Sequence, residues 1–254
     1  EMQGIPHHLL DVASPKRIFT VTQYRALALK AVNKIMEKGK LPILCGGTGF
    51  YIQTVIDGLI IPKVAPDWPL RKRLEKKSTE ELYRILKKLD SKRARIIDKK
   101  NPRRLIRAIE IVKKTGKPVP NLKLSPLPYP VLILGVKKTP TELKKLIAKR
   151  LLKRLKAGMV NEIKKLRKSG VSWKRLEEFG LEYRWIARFL QKKISHNDMI
   201  NFLQKDIERF AKRQLTWFKR DQRIRWIKNA IVSFVGIIGG IISPIFFGPV
   251  KLRL

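Results

Sequence analysis

Apolar positions along this chain recur at two different spacings, and each predicts a different element. Tyr24, Leu27, Ala28, Ala31 and Ile35 return every three or four residues, the period of a helix with one face in a core. Thr20 and Gln23 are spaced as a capping box at its start, and Gly39 suits its end. Leu41–Cys45 is instead a continuous apolar run, which predicts a strand buried on both faces. The string GGTG follows, and Phe50–Ile56 predicts the next helix. Helix, strand, glycine turn and helix in that order imply α/β architecture with a parallel sheet.

Three prolines between Ile61 and Pro69 mark a boundary. Beyond it the helices are short and basic. Ser78 and Glu81 form a second capping box, Asn101–Pro102 an N-cap and first-turn pair, and Gly116 with Pro118 a helix end. Val131–Val136 is a second continuous apolar run, which predicts a return to the same sheet. Residues 63–124 then read as a helical insertion between core parts 1–62 and 125–228. Thr139, Pro140 and Glu142 start a long helix that breaks near Gly158 and resumes to about Lys168; another runs over Glu182–Gln191. Ser195 and Asp198 cap a last helix that continues to about Arg220.

From Ala230 to Val250 no residue is charged, a length close to the ~20 apolar residues that span a bilayer. Gly239–Gly240 and Ser243–Pro244 interrupt it, so the 229–254 tail reads as a tail anchor, a buried extension or a stretch from a shifted reading frame.

Charge changes the picture. The 254 residues carry 58 Lys and Arg against 20 Asp and Glu, a formal +38. Such an excess repels itself unless a polyanion is near, so nucleic acid or an anionic membrane surface is the expected partner, with a merely solvated surface as the alternative. Arg103, Arg107 and Lys114 share one side of a helix whose other side is Leu105, Ala108, Ile109 and Val112. Arg209, Lys212, Arg213, Thr216, Lys219 and Arg220 form a second basic stripe opposite Met199, Phe202, Leu203, Ile207 and Phe210. Guanidinium-rich helix faces suit a phosphate backbone. Cys45 stands alone, and His7 and His8 lie far from His196, so no disulfide framework or histidine metal cluster is expected. The first residues lack an apolar signal region.

The glycine turn has the layout of a phosphate loop but not its lysine. No G-x-x-x-x-G-K-[ST] string occurs in the chain. Taken alone, GGTG is either a turn that needs glycine's backbone freedom or a site that sets Thr48 at the carboxyl end of a strand, where α/β proteins bind ligands.

Six strings in order, IPHHLLDV, LPILCGGTGFYI, PDWPLRKRL, NPRRLIRAIEIVKKTGK, FGLEYRWIARFLQKKIS and RFAKRQLTWFKRD, resemble the tRNA dimethylallyltransferase family over about Gly4 to Lys228. The resemblance implies a P-loop kinase-like parallel sheet flanked by helices, with an inserted helical domain that grips the tRNA anticodon stem-loop. It implies transfer of a dimethylallyl group from dimethylallyl diphosphate to N6 of adenosine 37, in a cytoplasmic monomer using Mg2+. Thr48 would act at the reacting adenosine, with Gly46, Gly47 and Gly49 shaping the turn that presents it. Arg71, Arg103, Arg104 and Arg107 match tRNA-contacting positions. So do Leu181, Glu182, Tyr183 and Arg184 in GLEYR, where the family more often has a shorter GYR or GYK. Lys212 and Arg213, followed by Gln214, match an AKRQ motif suited to the diphosphate. The family also opens on a Walker A loop and an Asp-Ser motif whose aspartate is the expected base. Both belong ahead of IPHHLLDV, where this sequence has neither, which implies an N-terminal part missing and impaired turnover. A non-catalytic basic RNA-binding module and a membrane-surface protein are the alternatives.

Overall fold

The computed structural model describes residues 4–228, so expectations for the apolar tail lie outside the described residues. The described residues divide into two compact units, Asp57–Pro126 and residues 4–56 with 127–228.

In the larger unit, α1 (Val21–Met36) starts as its capping box dictates: the Thr20 hydroxyl accepts from the Gln23 N–H, and the Gln23 side chain accepts from the Thr20 N–H at 2.9 Å. It packs against α2 (Gly49–Ile56), with the Tyr24 and Tyr51 rings 4.8 Å apart and Arg25 Nε donating to the Thr54 carbonyl at 3.0 Å. A second core gathers α7 (Pro140–Lys156), α8 (Met159–Lys168), α9 (Trp173–Phe179), α10 (Leu181–Leu190) and α11 (His196–Phe218). Ile163, Leu166, Leu176, Ile186 and Met199 are buried in it. Gly158, at φ 94°, makes the expected break between α7 and α8. Of the expected core face of α11, Met199 and Leu203 are buried, whereas Phe202 is exposed.

The sheet departs most from expectation. β1 (Ile133–Val136) and β2 (Ile224–Ile227) pair in parallel, Ile133 opposite Ile224, and β1 is half-buried. The expected strand at Leu41–Cys45 does not form: the stretch is irregular, with Leu41 and Ile43 each 60% exposed. An apolar run records a preference for burial, but a strand also needs a ladder partner, and β1 and β2 are the only sheet among the described residues. Val131 and Leu132, outside β1, are exposed for the same reason.

The smaller unit contains α3 (Trp68–Leu74), α4 (Thr79–Leu89), α5 (Ser91–Ile96) and α6 (Pro102–Thr115) around a core of Leu82, Leu86, Leu105 and Ile109. Asn101 caps α6 and Gly116 ends it at φ 65°. Within this apolar setting lies a fully buried carboxylate, Glu110. A buried charge is costly unless it is paired and hydrogen-bonded, and Glu110 is saturated. Its Oε1 accepts from the Asp67 backbone N–H and from Arg71 Nε, both at 2.7 Å. Its Oε2 accepts from Arg71 Nη2 at 2.8 Å and from Arg107 Nη1. One side chain of α6 thereby anchors the entry to α3. Burial alone pushes the Glu110 carboxyl up, but the bonds from Arg71, Asp67 and Arg107, with the Arg71 charge, bring it down to about 2.

That low value fixes the direction of a pH effect. The stabilisation is present above the ordinary value of 4.5 and is lost as pH falls towards about 2. Unfolding free energies from urea titrations of wild type and Glu110→Gln are expected to differ by roughly 3 kcal/mol at neutral pH, the scale for breaking a buried pair. The gap closes between pH 4.5 and 2, and a gap constant over that window would contradict the arrangement.

A second prediction concerns space. A Cβ on Gly49 would lie 2.1 Å from the Trp217 ring. Gly49→Ala therefore forces α2 and α11 apart and costs about 2 kcal/mol by overpacking, read as a lower urea midpoint. In Trp217→Leu the same glycine substitution is expected to cost much less.

Candidate functional site

The expected site residues fall in both units. In the larger one, Thr48 is exposed at the foot of α2. Its carbonyl accepts from the Tyr51 N–H at 2.9 Å and the Ile52 N–H at 3.2 Å, which starts the helix. Its hydroxyl has no hydrogen-bond partner among the described residues, so it is available to a ligand. Gly46, Gly47 and Gly49 do not adopt left-handed backbone angles. The expectation that the turn needs glycine for its torsions is therefore corrected: Gly49 is required for room. Trp217 fills that room and meets the Phe50 ring edge-on, 6.4 Å between centroids.

This contact ties the Thr48 turn to α11, which carries the AKRQ motif one turn earlier. Lys212 and Arg213 are exposed there, and the Arg213 guanidinium lies 5.6 Å from the Phe210 ring centroid. Gln214 is different: its Nε2 is buried and has no hydrogen-bond partner. An orphaned buried donor is costly, and a bound acceptor would relieve it. Nothing in the sequence distinguishes this amide from a solvated one.

The GLEYR stretch is not uniformly presented. Glu182 is buried and pairs with Arg154 at 2.5 Å. Tyr183 is buried and donates its hydroxyl to Glu162 at 2.6 Å; burial, then the bond to Glu162, pushes its pKa up. Glu182 thus ties α10 to α7, and Tyr183 ties α10 to α8. Leu181, at φ 37°, and the part-exposed Arg184 are the more accessible members.

In the smaller unit, Arg103 and Arg104 project from the first turn of α6, with Arg104 only 4.0 Å from Asp98 at the surface. Arg71 and Arg107 are instead held by Glu110 while keeping side-chain exposures of 25% and 30%. Arg107 also donates to the Val64 carbonyl at 2.9 Å, and Lys114 to the Ala65 carbonyl at 3.2 Å. The expected open basic stripe Arg103–Arg107–Lys114 is thus corrected. Two of its three cations clamp the Val64 and Ala65 carbonyls of the proline-flanked 62–66 stretch, which helical spacing could not reveal. Sequence reasoning also passed over Trp68, the first residue of α3. Its ring is exposed, with the Arg71 guanidinium 5.1 Å from its centroid.

No group of three or more His, Cys, Asp or Glu converges among the described residues. These side chains do not form a magnesium cage by themselves, and no step below is routed through a metal. Glu110, held by two guanidiniums near pKa 2, is a poor proton acceptor. No described helix is long and apolar enough to cross a membrane. The available chemistry is an exposed hydroxyl beside a cationic helix in one unit and a set of partly immobilised arginines in the other.

Comparison with known proteins identifies the family. Residues 1–221 match the model of the family described as IPP transferase. The tRNA dimethylallyltransferase of Acetivibrio thermocellus is 36% identical over 237 residues, 90% of this chain and 76% of that protein. A tRNA dimethylallyltransferase 1 of Syntrophus aciditrophicus is 39% identical over 233 residues, 89% of this chain and 76% of that protein. Among solved structures, the full-length tRNA isopentenylpyrophosphate transferase of Bacillus halodurans superposes with a TM-score of 0.65 at 30% identity. The match covers 93% of this chain and 77% of that one. A eukaryotic dimethylallyltransferase acting on tRNA shares the fold, with a TM-score of 0.74 at 23% identity over 92% of this chain and 62% of that one. A family match over most of the chain, with relatives more than a third identical, places the chain in the IPP transferase family, whose members are prenyltransferases.

Proposed function

We propose that this chain transfers a dimethylallyl group from dimethylallyl diphosphate to N6 of adenosine 37 in tRNA. The observation that carries the reading is the junction of the Thr48 turn with α11. It joins an unpartnered hydroxyl to a helix bearing exposed Lys212 and Arg213 and the orphaned Gln214 amide. The family membership supplies the reaction class.

The chemistry follows from what adenine lacks. The N6 lone pair is delocalised into the ring, so N6 is a weak nucleophile and must be held by a hydrogen-bond acceptor as it attacks. The base has to leave its stack to be reached. In this reading the Thr48 hydroxyl accepts from N6–H and aims the nitrogen at the allylic carbon. An N–C bond forms, the C–O bond to diphosphate breaks and the N6 proton passes to solvent. Lys212 and Arg213 meet the charge of the departing diphosphate, and fixed cations act most where charge develops. Arg103 and Arg104 supply phosphate contacts that position RNA without reading its sequence.

Two measurements test this. Affinity of the full chain for an anticodon stem-loop RNA is expected to fall steeply with salt. Arg103→Ala with Arg104→Ala should lower the slope of log K against log salt by about two, one per lost phosphate contact. N6-dimethylallyl product, identified by mass after nuclease digestion, is expected to drop about 100-fold in Thr48→Ala while RNA affinity stays within about twofold. Product formation indifferent to Thr48, or a chain that binds the stem-loop no better than an unrelated duplex, would overturn the reading.

A further inference from the structure

Trp68 is the most exposed tryptophan among the described residues, 52% exposed, and the function proposed above makes no use of it. Its setting is unusually rigid for an exposed aromatic. It stands between Pro66 and Pro69, after Asp67, whose side chain caps α3 by accepting from the Leu70 N–H at 3.0 Å. The Asp67 backbone N–H is fixed to buried Glu110. Arg71, one turn on, lies over the indole and is bound by two of its nitrogens to the same carboxylate. The indole N–H and Arg71 Nη1 carry no hydrogen bond among the described residues.

We infer that Trp68 and Arg71 form a binding step for one unpaired RNA nucleotide, with the base stacked on the exposed indole and the adjoining phosphate on Arg71 Nη1. This rests on the RNA reading given above, in which Arg71 already matches a tRNA-contacting position; what is added is the stacking role of Trp68 and the use of Arg71 beside it. Unpaired bases are recognised by stacking on aromatic rings and guanidinium planes, whereas bases inside a duplex do not expose their faces. A stacking platform gains when it is already rigid in the free protein, because little side-chain freedom remains to be lost on binding. Glu110 is the positioning residue: it touches no nucleotide but holds both the turn before Trp68 and the guanidinium beside it. Lys72 and Arg73 are exposed on the following positions and add phosphate attraction.

The test uses the full chain and a fluorescently labelled anticodon stem-loop RNA, together with a set of the same RNA carrying one abasic site at each loop position. Trp68→Ala is expected to weaken binding about tenfold, the scale of one base–aromatic stack, and Trp68→Phe to retain most of it. Trp68→Leu preserves apolar bulk but not a flat ring, so it should lose as much as alanine and stands in if the alanine variant unfolds. One abasic RNA should bind wild type about tenfold more weakly and show no further loss with either variant. Uniform weakening across all the abasic RNAs, or affinity unchanged in Trp68→Leu, overturns the stack while leaving RNA binding intact. Failure of wild type to bind any of the RNAs overturns the stack and the underlying RNA reading together.

Discussion

The Glu110 carboxylate is the constraint on which the smaller unit depends. It is a single negative charge placed in an apolar core, and it is tolerable only because four donors reach it. Those donors come from three places in the sequence: the residue before α3, the helix itself, and a position one turn earlier on α6. Satisfying one buried group therefore fixes where α3 begins and what its first turn presents. Two like-charged guanidiniums are brought to the same carboxylate, where they would repel each other without it. The arrangement leaves one net positive charge at the surface, with its geometry determined from inside. This is the sense in which the core of the unit and its outer chemistry are one object.

The larger unit achieves the corresponding result with shape rather than charge. A tryptophan on α11 occupies the volume that a side chain at position 49 would need, and the turn bearing Thr48 is carried by that contact. The hydroxyl and the cations of α11 stand on two pieces of secondary structure that pack together, and a binding site gains precision from such support. The Gln214 amide, close in sequence to Lys212 and Arg213, is a buried unsatisfied polar group of the same helix.

What could be read from the sequence was local. Thr20 with Gln23 and Ser78 with Glu81 formed their capping boxes because the bonds involved join residues three apart. Gly116 and Gly158 took left-handed angles that follow from the absence of a Cβ. What escaped was non-local. Leu41–Cys45 has strand composition, but composition does not provide a neighbour. β2, after a long helix, has only four residues and is too short to show a period, and seven-residue α9 is little better. Arg107 and Lys114 lie on the expected face of α6, yet their partners are carbonyls more than forty positions away. The same holds for the expected site: motif resemblance singled out Thr48, Arg71 and the AKRQ residues as expected positions, but it could not show that Glu182 and Tyr183 turn inward.

The Gly49–Trp217 contact has a consequence for how such chains diverge. The two positions are distant in sequence and occupy one volume, so neither is free to change alone. A lineage that replaces the tryptophan with a smaller residue releases position 49 to acquire a side chain, and one that retains it keeps the glycine. Glycine at this turn is therefore a record of what stands on the last long helix, and the pair is expected to vary together across descendants even where the surrounding loop drifts.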